Sequence, residues 1–415
     1  DNAKYNDTAL RILRDNFALN KKSAFSGKIF QLRCCAHIVN LLVQDGISEI
    51  GDIVDTIREA VKYLNASESR LIQFSEIANQ LHLSSKKLIL DCPTRWNGTY
   101  MMLAVALEFR EVFSRYQDRD PDFIYVPSFE DWIKVEHVCE FLGIFDLVTD
   151  IISGSEYPTA NLFLIEIWRI KEVLNDKFVE DNECIRAMAS KMKNKFDKYW
   201  SECNLLMVIA AVLDPRYKMM LVEFCFPRIY PEAEANGNIA MVREVLYEIY
   251  NEYVATHTVA HIGLGGQGNV QESGSSQGIG KRKVTLRSKF ESFVRRVDTI
   301  QPMKSELDIY LEERVLICDE GSDSIFDALE WWKVNNIKFP ILSKMACDIL
   351  SIPITTVAAE STFSAGGRVI DPYRASLSPE IVQVLLCGAD WVRVLHGFKK
   401  TSDREESSFQ EIMLP

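Results

Sequence analysis

One carboxylate, Glu360, stands alone in a run of small and apolar residues near the end of the chain, from Pro353 to Arg368. The run predicts a short helix, with Thr355 or Thr356 as the cap at its start and Gly366-Gly367 as its end. Such a lone acid either has a chemical role or simply faces solvent. The run alone favours the solvent-facing position.

A second acidic motif opens the chain, where Asn6-Asp7 follows Asp1-Asn2-Ala3. Asp and Asn ahead of a helix are typical of turns, because their side chains hydrogen-bond to nearby backbone groups. On its own the motif therefore favours a turn over a catalytic role for Asp1.

Cys34 and His37 have the spacing of a pair of metal ligands. No second Cys/His pair follows at zinc-finger spacing, so the sequence does not predict a complete zinc site. The end of a strand can instead place His37 in a polar cleft. A buried structural histidine is an equally good interpretation.

A third polar motif is Pro93-Thr94-Arg95-Trp96-Asn97. Pro93 favours an extended backbone ahead of it, so the motif belongs on or near a loop. Arg95 can grip a phosphate, and Trp96 can stack on a nucleic-acid base. The local sequence favours the alternative, an arginine stem that packs on a core tryptophan.

The elements that must position these residues are mostly helices. Residues 1–47 predict a helix, a short strand at 29–34 and the start of another helix at 37–43. From about residue 48 to 255 apolar residues recur at helical spacing, and we interpret their aromatic members as core. The stripes include Ile53, Ile57, Val61 and Leu64; Trp132, Val135, Val138, Cys139 and Leu142; Phe163, Ile167, Ile170 and Leu174; and the run Leu205 to Leu213.

Glycine and serine replace the apolar pattern at residues 262–284, which predicts a mobile linker. Lys281-Arg282-Lys283 closes this stretch, and a solvated charge run is favoured there over phosphate contact or nuclear import. Helices are predicted again at 306–314, 326–334 and 342–350. A last helix is predicted to open at Ser378-Pro379-Glu380, where serine caps and proline suits the first turn.

Composition limits the class of protein. The chain has 415 residues, of which 47% are hydrophobic, so we expect two or three domains with a large core. A net charge of −12 argues against a surface that binds DNA everywhere, although local basic patches remain compatible with it. Ten cysteines without a framework pattern indicate a reducing, intracellular compartment, and no apolar run is long enough to span a bilayer.

In their order along the chain these motifs resemble the hAT superfamily of DNA transposases, most closely its plant members of the Ricesleeper and Daysleeper type. The Asp1 motif resembles the family's second catalytic Asp motif. Cys34-x-x-His37 with Asn40-Leu41 resembles its Cys-x-x-His motif, and the Arg95-Trp96 motif resembles its Arg-Trp motif. The later resemblance is nearly continuous and corresponds to the family's C-terminal dimerisation region. It runs through Glu306 to Leu311, Trp331-Trp332-Lys333, Phe339 to Ser343, Ala359 to Ser364, Arg374 to Glu380 and Asp390-Trp391.

The resemblance implies a mainly α fold, in which a large all-α insertion interrupts a partial RNase H-like α/β core and a helical C-terminal dimerisation region follows. Residues 1–47 are then part of the core, and residues 48–255 form the insertion. A flexible linker at 256–300 precedes the dimerisation region at 301–397, which includes the final core helices. Residues 398–415 are a tail.

The resemblance also implies roles for the singled-out residues. Asp1 and Glu360 are two of three acids that hold Mg²⁺ or Mn²⁺ for DNA strand cleavage and transfer. His37 lies near the scissile phosphate, Arg95 binds DNA, and Trp96 stacks on a flipped base. The candidates for dimer contacts are the large apolar residues Trp331, Trp332, Phe339 and Phe363. Some of them are expected to contact a partner chain and the others to lie in the core. The expected partners are DNA and further copies of the chain, without a membrane or a small-molecule substrate, and the expected location is the nucleus.

In the family the first catalytic Asp and the Zn²⁺-binding BED finger lie upstream of the region that this sequence resembles. We therefore expect this chain alone to be inactive in strand cleavage. Two functions stay open, a catalytic transposase represented by its C-terminal part and a domesticated regulator that binds DNA without cutting it. A helical scaffold unrelated to DNA is a third, which only the net charge of −12 supports.

Overall fold

A computed structural model describes residues 4–19, 32–83, 86–200, 204–264, 304–318, 326–369 and 377–396. Helices and the turns between them make up these residues, and no strand occurs among them. The backbone divides after Thr355 into two compact units, residues 1–355 and residues 356–415. The predicted mainly α character is therefore confirmed for the described part of the chain.

The first unit begins with α1 (Lys4–Leu19), α2 (Cys35–Ile47), α3 (Gly51–Asn65), α4 (Glu68–Gln80), α5 (Trp96–Glu108) and α6 (Arg110–Arg119). The predicted stripe of α3 is buried, since Ile57, Val61 and Leu64 have no exposed surface. Helix α2 buries one apolar face against α7 and α9, which follow in the chain, and leaves its polar residues on the other side.

The unit continues with α7 (Phe129–Ile152), α8 (Phe163–Phe178), α9 (Glu183–Trp200), α10 (Leu205–Val212), α11 (Lys218–Ile229) and α12 (Glu232–Leu264). Ser128 and Asp131 form a capping box that fixes the start of α7. Helix α10 is apolar on all sides and buried from Leu206 onward, as expected for the central helix of a bundle.

Three further helices, α13 (Glu306–Glu312), α14 (Ala328–Val334) and α15 (Pro340–Leu350), belong to the same unit and core. Two aromatic donors from this segment close the carboxyl end of α10. The indole Nε1 of Trp332 donates to the carbonyl of Leu213 at 2.7 Å, and the hydroxyl of Tyr310 donates to the carbonyl of Val212 at 2.9 Å. Because the last carbonyls of a helix lack partners within it, these bonds satisfy groups that burial would otherwise penalise.

The turn that follows α10 completes this junction. Asp214 is fully buried and accepts hydrogen bonds from Arg216 and Asn161, each at 2.7 Å. Lys218 has a φ of 49° and is buried, and its ammonium donates to the carbonyls of Tyr310 at 2.6 Å and Glu313 at 2.8 Å. The segment from 306 to 350 is thus attached to the centre of the bundle by buried polar contacts as well as by apolar packing.

The second unit contains α16 (Val357–Val369) and α17 (Pro379–Leu395), which pack against each other. The last helix opens at proline as predicted. Gly366-Gly367 do not end the Glu360 helix, because α16 continues to Val369. Glycine disfavours a helix interior by only about 1 kcal/mol, so tertiary context decides whether the helix continues.

Two other predictions concern segments of which the structure describes only a part. Residues 32–34 lie outside any strand, and the rest of the predicted strand at 29–34 falls outside the described residues. The predicted linker at 256–300 begins inside a helix, because α12 reaches Leu264, and its remainder is not among the described residues. In the described ranges, no helix is long and apolar enough to cross a membrane.

Candidate functional site

The Cys-x-x-His and Arg-Trp motifs meet on one face of α2. His37, Asn40 and Gln44 are three and seven residues apart, which places them along the same side of the helix. The side-chain oxygen of Asn40 accepts the backbone N–H of Trp96 at 3.0 Å, and its amide nitrogen donates to the carbonyl of Thr94 at 3.4 Å. Gln44 donates to the carbonyl of Pro93 at 3.1 Å. Two motifs that are distant in sequence therefore form one local structure.

The other end of this loop is fixed by Asp91, whose side chain has no exposed surface. Arg58 on α3 donates to the two carboxylate oxygens of Asp91 at 2.8 and 2.7 Å, and Thr99 on α5 donates at 2.8 Å. Burial alone would raise the pKa of Asp91, but the hydrogen bonds from Arg58 and Thr99 outweigh it and lower the pKa below its usual range. The carboxylate therefore stays ionised and paired.

Close backbone packing also holds the loop. A Cβ atom at Gly98, in the first turn of α5, would lie 3.2 Å from the backbone nitrogen of Cys92. Only glycine allows the helix and the loop to approach this closely without a shift of the backbone. The loop from Cys92 to Arg95 is consequently held between α2, α3 and α5.

Arg95 is the exposed cation of this loop. Its backbone lies in the extended region, with φ −122° and ψ 107°, immediately ahead of α5. Its guanidinium makes no hydrogen bond or ion pair with the residues that the structure describes, whereas Arg58 nearby is fully engaged. Arg95 is thus available to an anion from solvent, as the phosphate-binding interpretation requires.

Trp96 lies in a different environment from the one that base stacking requires. Its side chain is only 2% exposed, and its ring centroid lies 6.0 Å from that of Tyr100. With Gln44, Arg58 and Thr99 it lines a shallow cleft behind the loop. In this conformation Trp96 is a core residue, so a base could stack on it only after the loop opens.

His37 is half-buried, and Cys34 is buried at the start of α2. The backbone N–H of Cys35 donates to the carbonyl of Ile354 at 3.0 Å, so the chain leaves the first unit beside the Cys-x-x-His motif. In the described part of the chain, no group of three or more His, Cys, Asp and Glu side chains is arranged to hold a metal ion.

Glu360 lies in the first turn of α16, in the second unit, and is exposed. Its carboxylate accepts the hydroxyl of Thr356 at 2.7 Å, and its backbone N–H donates to the carbonyl of Thr356 at 2.9 Å. Asp1 lies outside the described residues. The solvent-facing position favoured by the local sequence is what α16 shows. A carboxylate suits Mg²⁺, but the described residues provide no complete site, and we derive no metal-dependent step.

The candidates for dimer contacts fall into two classes. Trp332 and Phe339 have no exposed surface and pack in the first unit, so they cannot offer a face to a partner. Trp331 is partly buried against the same core. Phe363 on α16 is 78% exposed.

An apolar stripe on α17, in the second unit, was not among the residues predicted for dimer contacts. Trp391 is 72% exposed and Leu395 is 81% exposed. With other exposed apolar residues they recur at spacings of three and four, the signal of a helix that packs against another helix. The stripe consists of Ile381, Val384, Leu385, Trp391, Val392 and Leu395.

Three family models match the chain. They are the ZBED1 RNase-like helical domain at residues 32–141, the hAT-like transposase, RNase-H fold, at residues 161–253, and the hAT family C-terminal dimerisation region at residues 306–392. The RNase-H-fold match lies inside the range that the sequence predicts as insertion. The dimerisation match includes α13 to α15 of the first unit as well as the second unit.

The chain is also similar to curated plant proteins. It is 40% identical to "Zinc finger BED domain-containing protein RICESLEEPER 1" of Oryza sativa subsp. japonica, over 92% of this chain and 54% of that protein. It is 39% identical to "Zinc finger BED domain-containing protein DAYSLEEPER" of Arabidopsis thaliana, over 77% of this chain and 43% of that protein. It is 33% identical to "Putative AC transposase" of Zea mays, over 94% of this chain and 48% of that protein. The chain thus spans about half the length of these relatives.

Proposed function

Since the chain belongs to the hAT family, we propose that it is part of a transposase or a transposase-derived protein that binds DNA in the nucleus. The observation that carries the DNA-binding proposal is the exposed guanidinium of Arg95, which has no partner among the described residues and lies on a fixed loop beside α2. A guanidinium offers several N–H donors to phosphate oxygens, and preorganisation reduces the entropy lost on binding. The proposal is tested by DNA titrations that compare wild type with Arg95→Ala.

The net charge of −12 is compatible with DNA binding through one locally exposed cation, Arg95. Two lysines close to α2 already pair with acids, Lys195 with Asp45 on α2 and Lys191 with Glu49 just after it. Paired cations contribute little to phosphate binding, because a phosphate would have to displace their carboxylates. Contacts from Arg95 and from other parts of the protein therefore have to position the DNA.

Self-association is the second part of the proposal. Phe363 of α16 and the apolar stripe of α17, except for Leu395, lie in the part of the dimerisation match that belongs to the second unit. Exposed aromatic and aliphatic side chains in a contiguous set are typical of protein interfaces. The matched residues of α13 to α15 serve the core of the first unit instead. We therefore assign the dimer contact to α16 and α17.

The catalytic chemistry of the family extends the proposal to the complete protein. Asp1 and Glu360 are proposed as two acids of a divalent-metal site on an RNase H-like core, with Mg²⁺ or Mn²⁺ supplying Lewis-acid activation of the phosphodiester. A Zn²⁺-binding BED finger is also proposed for the complete protein, since the rice and Arabidopsis relatives are named as zinc finger BED domain-containing proteins. The alternative is a domesticated regulator that keeps the DNA-binding and dimerisation parts without cleavage.

A further inference from the structure

We propose that Asn40 is a positioning residue for DNA binding, which holds the main chain on both sides of Arg95 so that the guanidinium meets a phosphate in a fixed place. The inference rests on the proposed DNA-binding function and adds a role for Asn40, to which the resemblance assigns none. Its basis is the pair of hydrogen bonds from one side chain to the two neighbours of Arg95.

The two bonds use both ends of the Asn40 amide. The oxygen accepts the N–H of Trp96 at 3.0 Å, and the nitrogen donates to the carbonyl of Thr94 at 3.4 Å. Arg95 lies between these two residues, so its main chain is held on each side. A large displacement of the Arg95 backbone would break one or both of these bonds unless α2 moved with it.

Asn40 also performs a task that the local sequence of α5 leaves open. Trp96 is the first residue of α5, and the N–H groups of a first turn have no partner inside the helix. The residue at the N-cap position is Arg95, whose side chain makes no capping bond. A guanidinium has no acceptor for these N–H groups, so Asn40 supplies the missing acceptor from another helix.

Gln44 supports the same loop one turn further along α2, through the carbonyl of Pro93 at 3.1 Å. This contact lies two residues from Arg95 and leaves the start of α5 untouched. Removal of Gln44 should consequently affect DNA binding less than removal of Asn40. The two residues form a matched pair, since both are half-buried polar residues on one face of α2.

A double-mutant cycle on fluorescein-labelled duplex DNA tests the inference. We expect Asn40→Ala to weaken binding about 3- to 10-fold in the wild-type background, with Gln44→Ala weaker in effect. In the Arg95→Ala background we expect Asn40→Ala to have no further effect, because its action passes through Arg95. An equal loss in both backgrounds, or no loss in the wild-type background, would overturn the inference.

Hydrogen exchange without DNA separates this inference from the function on which it rests. The Trp96 amide should exchange faster in Asn40→Ala and stay protected in Asn40→Asp, which keeps the acceptor. If wild type fails to bind DNA but the Trp96 amide exchanges faster in Asn40→Ala, the DNA-binding function is refuted while the positioning contact is confirmed. Unchanged exchange in a folded Asn40→Ala variant, verified by circular dichroism, would rule out the positioning contact.

Discussion

The amide oxygen of Asn40 accepts the backbone N–H of Trp96 at 3.0 Å, although the two residues are 56 positions apart in the chain. This bond explains why the Cys-x-x-His motif on α2 and the Arg-Trp motif ahead of α5 belong to one site. It also separates the roles of two adjacent residues, because it fixes Trp96 in the core while Arg95 remains exposed.

The junction between α10 and α14 predicts a specific loss of stability. Trp332→Phe keeps an aromatic ring but removes the Nε1–H bond to the buried carbonyl of Leu213. An unsatisfied buried carbonyl costs about 1–3 kcal/mol, so the free energy of unfolding should fall by that amount in urea titrations. Trp331→Phe is the matched control, since its indole lies at the edge of the core. Equal losses in the two variants would contradict the role of the hydrogen bond.

The Arg58–Asp91 pair predicts a pH dependence of stability. The pKa of Asp91 is lowered in the folded state, so its contribution is present above the unfolded pKa of about 3.9 and is lost as the pH falls through the folded pKa. Asp91→Asn should therefore lower the free energy of unfolding at neutral pH. It should also make that free energy depend less on pH in the acid range. Urea unfolding at pH 7 and at low pH measures both effects. If Asp91→Asn keeps the wild-type slope of unfolding free energy against pH in acid, the proposed contribution of Asp91 is refuted.

The stripe on α17 predicts that self-association depends on the second unit. Trp391→Asp should shift the chain toward monomer, because a charge would be buried at an apolar contact. Sedimentation velocity across a concentration series measures the shift. Ile337→Asp is the matched control, since Ile337 is 92% exposed but lies on the first unit. Dissociation by Ile337→Asp instead would move the interface to the first unit.

The proposed role of Glu360 predicts the result of a strand-cleavage assay with Mg²⁺ or Mn²⁺. In a protein that carries the complete RNase H-like core, Glu360→Ala should lower cleavage by at least about 100-fold, the upper end of losses for residues that only support metal ligands. Glu380→Ala is the matched control, as an exposed glutamate in the first turn of α17. Equal activity in Glu360→Ala and wild type would remove Glu360 from the mechanism.

Helix positions could be predicted well from sequence because the burial of one helix face leaves a local periodic signal. The stripe of α8 is buried as predicted, and so is the stripe of α3 except for Ile53, which is partly buried. The fate of single aromatic residues could not be predicted in the same way. Trp332 is buried in the core with its indole bonded to the distant carbonyl of Leu213. Phe363 has the same local signature, a large apolar residue in a helix, and is exposed.

The site was predictable as a set of motifs but not as an arrangement. Arg95 and His37 were identifiable by type and spacing, and Asn40 by its place in the resemblance to the Cys-x-x-His motif. Gln44 was not, since an amide in an apolar helix has no motif of its own. A weak signal did exist, because His37, Asn40 and Gln44 are polar residues at spacings of three and four in a helix whose other face is apolar. Only the structure shows that their partners are backbone groups of the Arg95 loop.

The central claim is that Arg95 contacts a DNA phosphate, and the salt dependence of duplex binding tests it most directly. A phosphate contact contributes about 0.9 to the slope of log K against log salt concentration. We predict that Arg95→Ala weakens binding and reduces this slope by about that amount, because one phosphate contact is lost. Arg115→Ala, at an exposed arginine on α6, should leave both quantities unchanged. Identical affinity and slope for Arg95→Ala and wild type would contradict the account.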